Sequence, residues 1–360
     1  MEDKNSQRTE EVAHNGYANE AVPRKKGGII NTLYPPGPKP GAGGRVKNHC
    51  RKFWWCDLLV IGVIVVVVVV PIIYVGIPKK AQHDLNASTL EVTSQDVSSP
   101  TPNGIHLKLV SLAKSGSSFH PTIEAFEGRL SLDEEGKNPF IVLPVPETKA
   151  EAETEIVVDQ QLGFADKNNF VEYNKAVMGS ESFDVYMNGK TKIRQSGLQP
   201  ISVDYHKKIT MKGLNKLQGL SISDVEILRQ DAVLEDGSNM VGNVHIPNPS
   251  VLTIDLGDVT MNLSIDDQDI GTSLLPALVL KPGNNSYPMQ SKIQQLRVIS
   301  AIRSKYKNGI VPIAIKGNSS VANGEHLDYF EAAIQGNTVN VELDVGPALA
   351  KIGLNITSSA

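Results

Sequence analysis

Eight histidines, two cysteines and a few acidic clusters are the side chains of this 360-residue chain best equipped for chemistry, and their spacing argues against most of it. His14, His49, His83, His106, His120, His206, His245 and His326 include no pair at a metal-ligand spacing such as H-x-x-x-H. A serine nucleophile elbow reads G-x-S-x-G. Gly219-Leu220-Ser221-Ile222-Ser223 supplies its first half and lacks the second glycine. There is no P-loop and no dinucleotide fingerprint. Asp133-Glu134-Glu135 and Asp266-Asp267 place carboxylates side by side, as general acid–base work requires, but both fall in predicted turns. Asp266 to Gly271 has the acidity of a calcium loop without EF-hand spacing or a closing glutamate, so a polar hairpin turn is expected there. The chain is therefore read as a non-enzyme, with no catalytic residue, cofactor or metal.

Two kinds of covalent modification fit the sequence better. Cys50 and Cys56 lie beside an apolar run and are candidates for S-acylation. Asn86, Asn262, Asn284, Asn318 and Asn355 open N-x-S/T sequons, all beyond that run, and are candidates for N-glycosylation. Asn284 and Asn318 are expected in glycine-containing turns. With both cysteines before residue 58, a disulfide scaffold is excluded.

The elements that position these residues follow from how charge is distributed. Residues 1–57 carry ten Lys/Arg and six Asp/Glu, residues 58–77 carry none, and the remainder is acidic. The uncharged stretch, Leu58 to Ile77, spans about 30 Å as a helix, the thickness of a bilayer's hydrocarbon core. Pro71 is tolerated in lipid as a kink. Trp54 and Trp55 at one edge suit the headgroup region, with Arg51 and Lys52 beside them as interface anchors. The twenty residues before the span hold Lys39, Arg45, Lys47, Arg51 and Lys52, and the twenty after it hold only Lys79 and Lys80. This asymmetry predicts a cytosolic N-terminus and a lumenal or extracellular C-terminal part, a type II signal-anchor arrangement. Residues 1–57 read as a disordered basic cytosolic tail, in which Pro35–Pro40 is a candidate ligand for a cytosolic adaptor. The acidic remainder argues against a nucleic-acid partner.

Residues 78–103 are rich in Ser, Thr, Gln and Asp and read as a polar tether. From Gly104 the apolar pattern has mostly period two. Its clearest strand is Val251 to Ile265, with Leu252, Ile254 and Leu256 on even positions, then Val259, Met261, Leu263 and Ile265 on odd ones. A parity change at Gly257-Asp258 predicts a β-bulge, and leaves Asn262 pointing away from the core. Asn169 to Met178 and Ile293 to Lys307 have helical spacing. The first buries Phe170, Tyr173 and Val177 and stops at Gly179. The second buries Ile293, Leu296, Ile299 and Ile302 and stops at Gly309. Strands follow at Phe183 to Met187, ending in the hairpin signal Asn188-Gly189, and at Ile310 to Ile315, ending in Gly317-Asn318. The order strand, acidic turn, strand, helix, glycine, strand thus occurs twice, offset by about 130 residues. The expected fold is mainly β: two antiparallel β-sandwich modules, 104–205 and 206–360, with a few short helices, on one N-terminal transmembrane helix.

Several phrases resemble a fungal family of single-pass membrane proteins of unknown function. They are SFHPTIEAFEGRLSLD (118–133), ITMKGLNKLQGL (209–220), HIPNPSVLTIDLGDVTMNLSID (245–266), IGTSLLPALVLKPGNN (270–285) and GNSSVANGEHLDYFEAAI (317–334). The stretch from Asn248-Pro249 to Pro282-Gly283 is also similar to the late-embryogenesis-abundant group two (WHy) domain, in which an Asn-Pro opens a long strand of a small β-sandwich. The resemblance implies a cysteine-poor lumenal β-sandwich on a type II anchor, at the vacuole or another endomembrane ahead of the plasma membrane. It carries no chemistry.

Two functions follow as expectations. In the first, the lumenal modules bind a lipid or a partner protein near the bilayer; a lipid site would be a cavity of several hundred Å³. In the second, the chain is a structural or adaptor protein acting through its cytosolic tail.

Overall fold

The computed structural model describes residues 42–354. Pro35–Pro40 and Asn355 lie outside the described residues, as does the side chain of Cys50. The chain divides between Ile73 and Tyr74 into two compact units.

The first unit is helical. Helix α1, Ala42–Pro71, is interrupted by non-helical backbone at Phe53 (φ −123°, ψ 16°). Residues 42–57 were expected to be disordered and are helical instead. Once an apolar helix is nucleated, each added residue gains a hydrogen bond, and no proline stands between Pro40 and Pro71 to stop it. Every large apolar side chain from Leu58 to Val70 is 40–65% exposed. Pro71 ends α1, and a single π-turn, Ile72–Gly76, follows. Proline cannot donate to the carbonyl one turn back, and a widened turn is one way the backbone absorbs that loss. Among the described residues, one helix, Arg51–Ala87, is long and apolar enough to cross a bilayer.

The second unit is mainly β and opens with helix α2, Ile77–Ala87. Its strands are β1 (Thr89–Thr101), β2 (Gly104–Lys114), β3 (Thr122–Ile123), β4 (Phe126–Ser131), β5 (Pro139–Val145), β6 (Thr148–Lys149) and β7 (Glu153–Gly163), then helix α3 (Lys167–Gly179), β8 (Ser182–Arg194) and β9 (Ile201–Lys212). After a 3₁₀ turn come β10 (Ser221–Ile227), β11 (Met240–Asn248), β12 (Leu252–Ile265), β13 (Gln268–Leu280), β14 (Gly283–Ile293), helix α4 (Gln295–Ser304), β15 (Ile310–Ala322), β16 (Glu325–His326), helix α5 (Asp328–Gln335), β17 (Thr338–Asp344) and helix α6 (Gly346–Lys351).

Strand pairing recurs between the halves. β1–β2, β2–β7, β4–β5, β4–β8 and β8–β9 are matched in chain order by β10–β11, β11–β14, β12–β13, β12–β15 and β15–β17, all antiparallel. α3 and α4 hold equivalent places, each entering the long strand that follows it. The recurring unit therefore runs from Thr89 to Lys212 and from Ser221 to Asp344, not over 104–205 and 206–360. The expected boundary at 205/206 cuts through β9. The expected tether, 78–103, is α2 and β1. β1 escaped notice because its buried positions include a polar one: Gln95 is satisfied by the Tyr173 hydroxyl at 3.0 Å.

The halves meet through β12. Its first residues pair in parallel with β1 (Gln95↔Leu252, Val97↔Ile254), the exception among the otherwise antiparallel pairings of the described residues. Beyond Gly257 the same edge pairs with β15 (Asp258↔Val321 to Ser264↔Ala314). Gly257, at φ +65°, is the bulge at which the edge changes partner. A Cβ there would stand 2.3 Å from the Val321 carbonyl oxygen. Burial alternates across it as the sequence predicts. One core lies between β1–β2–β7 and the sheet of β4, β5, β8 and β9; the other lies between β10–β11–β14 and β12–β15–β17. Aromatic rings fill the junction: Phe164 stacks on Phe170 (4.2 Å between centroids), Phe170 meets Tyr329 edge-on (5.2 Å), and Phe140 stacks on Tyr173 (4.4 Å).

Several local expectations change. Asn188-Gly189 is not a turn: β8 runs through it to Arg194, and a Cβ on Gly189 would lie 2.7 Å from the Phe126 ring. Gly317-Asn318 likewise lies inside β15, with Gly317 pressed against Ile334 of α5. The turn comes later, at Asn323-Gly324, where both φ are positive. In both places the glycine serves close approach rather than reversal. α3 buries Phe170, Tyr173 and Val177 as expected, capped by the Asp166 side chain, but Ser180 rather than a left-handed glycine ends it. α4 begins later than expected and buries Val298 and Ile302, leaving Leu296 84% exposed.

Candidate functional site

The described residues bring one nucleophile-like constellation together. β10 carries a bulge after Ser223, with Asp224 at φ +52°, which turns Ser223 and Asp224 toward Asn243 and His245 on β11. The Ser223 hydroxyl donates to Asp224 Oδ2 at 2.8 Å and lies 2.8 Å from His245 Nε2. Asn243 Nδ2 donates to the same carboxylate oxygen at 3.1 Å, and these two bonds hold the Asp224 carboxyl below its ordinary range. A hydroxyl has one proton. With it on Asp224, His245 must donate to the serine oxygen rather than accept from it. Nucleophilic catalysis needs the reverse, with the histidine taking the serine proton and the acid orienting the histidine from its other nitrogen. The half-elbow glycine, Gly219, lies before β10, and this cluster sits on the solvent side of Val244 and Ile246. The geometry is that of a surface hydrogen-bond network. Among the described residues no three His, Cys, Asp or Glu side chains converge to hold a metal ion.

The most heavily engineered contact is the seat of α2 on β9. Gln82 Nε2 donates to the Asp204 carbonyl (2.8 Å), and Asp204 N–H donates back to Gln82 Oε1 (2.9 Å), so one amide side chain caps a free strand edge. From an inward position of the same strand, Lys207, only 4% exposed, donates to the Leu85 and Ser88 carbonyls at the C-terminal end of α2. A cation there suits the helix dipole and satisfies carbonyls the helix leaves open. Burial pushes the Lys207 ammonium down to about 8 from its ordinary 10.5.

A pH dependence follows. Unfolding restores the ordinary value, so between pH 8 and 10.5 the unfolded chain holds more protons than the native one, and stability rises with pH across that window. Burial also holds Tyr173 and Tyr205 up at about 12 against an ordinary 10.0. Above pH 10 the unfolded tyrosines lose protons first, and stability falls. Denaturant titrations should show a climb from pH 8 toward 10 and a decline beyond. Lys207→Met should abolish the climb and retain the decline.

Two of the core cavities hold about 30 Å³, lined by Val244, Met261, Leu275 and Met289 among others, and about 20 Å³ beside Gln95 and Tyr173. Cavities of that size suit one or two waters.

The residues singled out from sequence are dispersed. Asn86, Asn262, Asn284 and Asn318 are all exposed, on α2, β12, β14 and β15. Asn318 is a strand residue rather than a turn residue, and its carbonyl accepts from Gln335 (2.7 Å). Arg51, Lys52, Trp54 and Trp55 are exposed, the two tryptophans by 62% and 58%. Cys56 is a half-buried free thiol. Asp266 and Asp267 form the two-residue hairpin turn between β12 and β13, both at positive φ, with Asp266 bound by Lys305 (2.7 Å) and the Tyr306 hydroxyl (2.8 Å). Asp133 accepts from the Lys137 and Asn138 amides and so closes its own turn. Sequence reasoning passed over Lys207. Its signal was a lysine in the alternating run Val203 to Met211, at an odd, inward position.

The segment from β5 into β12 decides what can be said of kinship. Residues 138–263 match the model of a family described as a protein of unknown function (DUF3712). The match includes Lys207 and Asn248-Pro249 and stops within β12, short of the strands that complete its sheet. No curated protein matches the chain. Among solved structures, the periplasmic chaperone SfaE aligns at 11% identity, covering 71% of this chain and 98% of its own, with a TM-score of 0.19. A cross-linked adhesin of Mobiluncus mulieris aligns at 8% identity, covering 69% and 83%, with a TM-score of 0.20. The CupB6 tip adhesin of Pseudomonas aeruginosa aligns at 8%, covering 71% and 98%, with a TM-score of 0.16. All three scores are well below the level at which two chains share a fold.

Proposed function

We propose that this chain is a single-span membrane protein whose β-rich part binds a partner protein rather than catalysing a reaction. The observation that carries the reading is the exposed apolar run on α1. Uncharged side chains bare over five helical turns would drive association in water, and a bilayer covers them. The flanking cations support a cytosolic N-terminus and a lumenal β-rich part, a type II signal-anchor glycoprotein. The resemblance to a fungal family supports an endomembrane, the vacuole first. The recurring strand pairing supports two tandem β-sandwich modules, the second of them WHy-like, at 89–212 and 221–344 rather than the limits read from sequence.

Between the two ligand classes, cavity size is the guide. An acyl chain needs several hundred Å³ of enclosed space, and the cavities between the sheets of the two cores hold about 30 and 20 Å³. A partner met at the surface fits these cores, whereas a lipid held inside them does not. The non-enzymatic reading rests on the wiring of Ser223, Asp224 and His245 described above.

The test uses the full chain in isolated microsomes. It should stay in the membrane pellet through alkaline extraction, and its β-rich part should resist added protease until detergent is present. Glycosidase should sharpen its gel mobility through Asn86, Asn262, Asn284 or Asn318. Release by alkali would remove the anchor, and digestion in intact vesicles would reverse the orientation. Stoichiometric lipid retained after delipidation of the purified chain would overturn the surface-partner reading.

A further inference from the structure

Open strand edges recruit other strands, and several edges of the β-rich unit are guarded. Gln82 of α2 caps β9. β10 is bulged at Asp224 and has α6 packed beside it. β5 carries Pro139 and Pro144, which lack an N–H. On β14 the edge beyond the β13 pairing holds Pro288, and Tyr287 reaches across it to donate to the Val279 carbonyl. β7 differs. Its register with β2 runs from Glu153 to Gly163 without a bulge or a proline. Its other edge also lacks the neighbour that β14 has. β13 pairs with β14 from Gly271↔Ile293 to Leu274↔Gln290. β5, which holds the place of β13 in the first half, meets the chain just after β7 at one bridge, Ile141↔Phe164.

Two backbone bonds fix which residues face the open side. Ser115 N–H donates to the Ala152 carbonyl, and Phe164 N–H donates to the Asn103 carbonyl, one step beyond each end of the β2–β7 register. Backbone bonding alternates along an antiparallel strand, so the even residues of β7 bond to β2. Glu153, Glu155, Val157, Asp159 and Gln161 then direct their N–H and C=O groups to the open side. The same five residues expose their side chains. Val157 is 42% exposed and stands opposite Val110 of β2. Asp159 is met from β2 by His106 (2.8 Å) and Lys108 (3.8 Å).

We infer that β7 pairs antiparallel with the β7 of a second copy of this chain, about a two-fold axis at Val158. The charge pattern selects this register. A two-fold axis normal to the sheet sets outward residues opposite outward ones. Centred on Val157, the pairing would set Glu155 against the second copy's Asp159. Centred on Asp159, it would set that residue against itself. Like charges directly opposite each other destabilise a strand pair. Centred on Val158, all 11 residues of β7 pair and no two acids meet. Val157 then faces Asp159, Glu155 faces Gln161, and Glu153 faces Gly163. The two Val157 side chains flank the axis as diagonal neighbours, about 7–8 Å apart. The acids that block the adjoining registers thus admit this one. The inference concerns the β-rich unit alone and rests on neither the membrane anchor nor its orientation.

The experiment uses the full chain in detergent, with Cys50→Ser and Cys56→Ser to remove the native thiols. The variant Glu155→Cys/Gln161→Cys sets its thiols opposite each other across the axis, at about 5.5 Å between Cα atoms, within disulfide reach. Within one copy the same two positions are about 20 Å apart along the strand. Mild oxidation of the double variant should therefore give a covalent dimer, and neither single variant should. Val157→Pro removes an N–H that β2 does not use. It should abolish the crosslink, halve the mass seen by light scattering and leave the unfolding midpoint in place. A one-copy mass for the wild type, or no crosslink in the double variant, would overturn the inference and show that the acids keep this edge bare. A two-copy mass that survives Val157→Pro without a crosslink would place association elsewhere, the span included, and would overturn it as well. The partner-binding reading above survives either result.

Discussion

Gly271→Ala should destabilise the β-rich unit by roughly 4 kcal/mol, combining backbone strain with overpacking. Gly271 lies on β13 between β12 and β14, opposite Leu263 on one side and Ile293 on the other. Its φ of +136° is a conformation that side chains other than glycine rarely adopt. A Cβ there would stand 2.0 Å from the Lys292 carbonyl oxygen and 3.0 Å from Ile293 Cα. Both obstacles are backbone, so relief requires β14 to move, and with it the pairing to β11. Gly283→Ala separates the causes. It too has positive φ (+92°), but nothing lies within 4 Å of the added carbon. That variant should show strain alone, about 1 kcal/mol. Urea unfolding of the two variants in the same detergent decides the matter. Equal midpoints would mean that β14 yields freely and that the crossing at Gly271 is loose.

Phe170→Ala should cost about 3–5 kcal/mol, the range for emptying a buried aromatic site. The ring is 2% exposed and touches Phe164, Tyr173 and Tyr329, from both repeats of the pairing pattern. Tyr329 in turn donates from its hydroxyl to the Thr101 carbonyl at 3.0 Å. Because the two rings are in contact, Phe170→Ala and Tyr329→Ala together should cost less than the sum of the single changes, by 0.5 kcal/mol or more. If the aromatic junction couples the halves, each single variant should unfold in one cooperative transition and the double variant in two. One transition in the double variant as well would assign the coupling to other contacts, such as the pairing of β1 with β12.

How much of this was legible in the sequence depended on whether a local signal agreed with the long-range packing. The bulged strand was readable because Gly257 changes the parity of the seven flanking apolar residues, and nothing distant needed to be known. The hairpin turn at Asp266-Asp267 was readable for the same reason. β1 was not. Its pairing with β2 slips between Val92 and Ser94, so its buried positions change parity without a glycine to mark the change. One of those positions is Gln95, whose partner Tyr173 lies far along the chain. Asn188-Gly189 misled because the dipeptide is a strong local turn signal, while the constraint on Gly189 is the Phe126 ring on another strand. Leu296 misled because helical spacing ignores where a helix begins. α4 starts only at Gln295, so Ile293 belongs to β14 and the buried face rotates to Val298 and Ile302. In the site, the sequence marked the serine and histidine only by residue type. The direction of one proton between Ser223 and Asp224 needed coordinates.

The short parallel pairing of β1 with β12 has a consequence for biosynthesis. Gln95 leaves the ribosome well before Leu252, its partner. At about 5–20 residues per second, the wait is on the order of ten seconds. During that interval the first repeat can close its own antiparallel pairs, but one edge of β1 stays open, and an open edge recruits whatever strand comes near. The late arrival of β12 shields it over only a few residues. A nascent chain halted between Lys212 and Leu252 should therefore be the most aggregation-prone length, and the one most dependent on a chaperone in the compartment where it emerges.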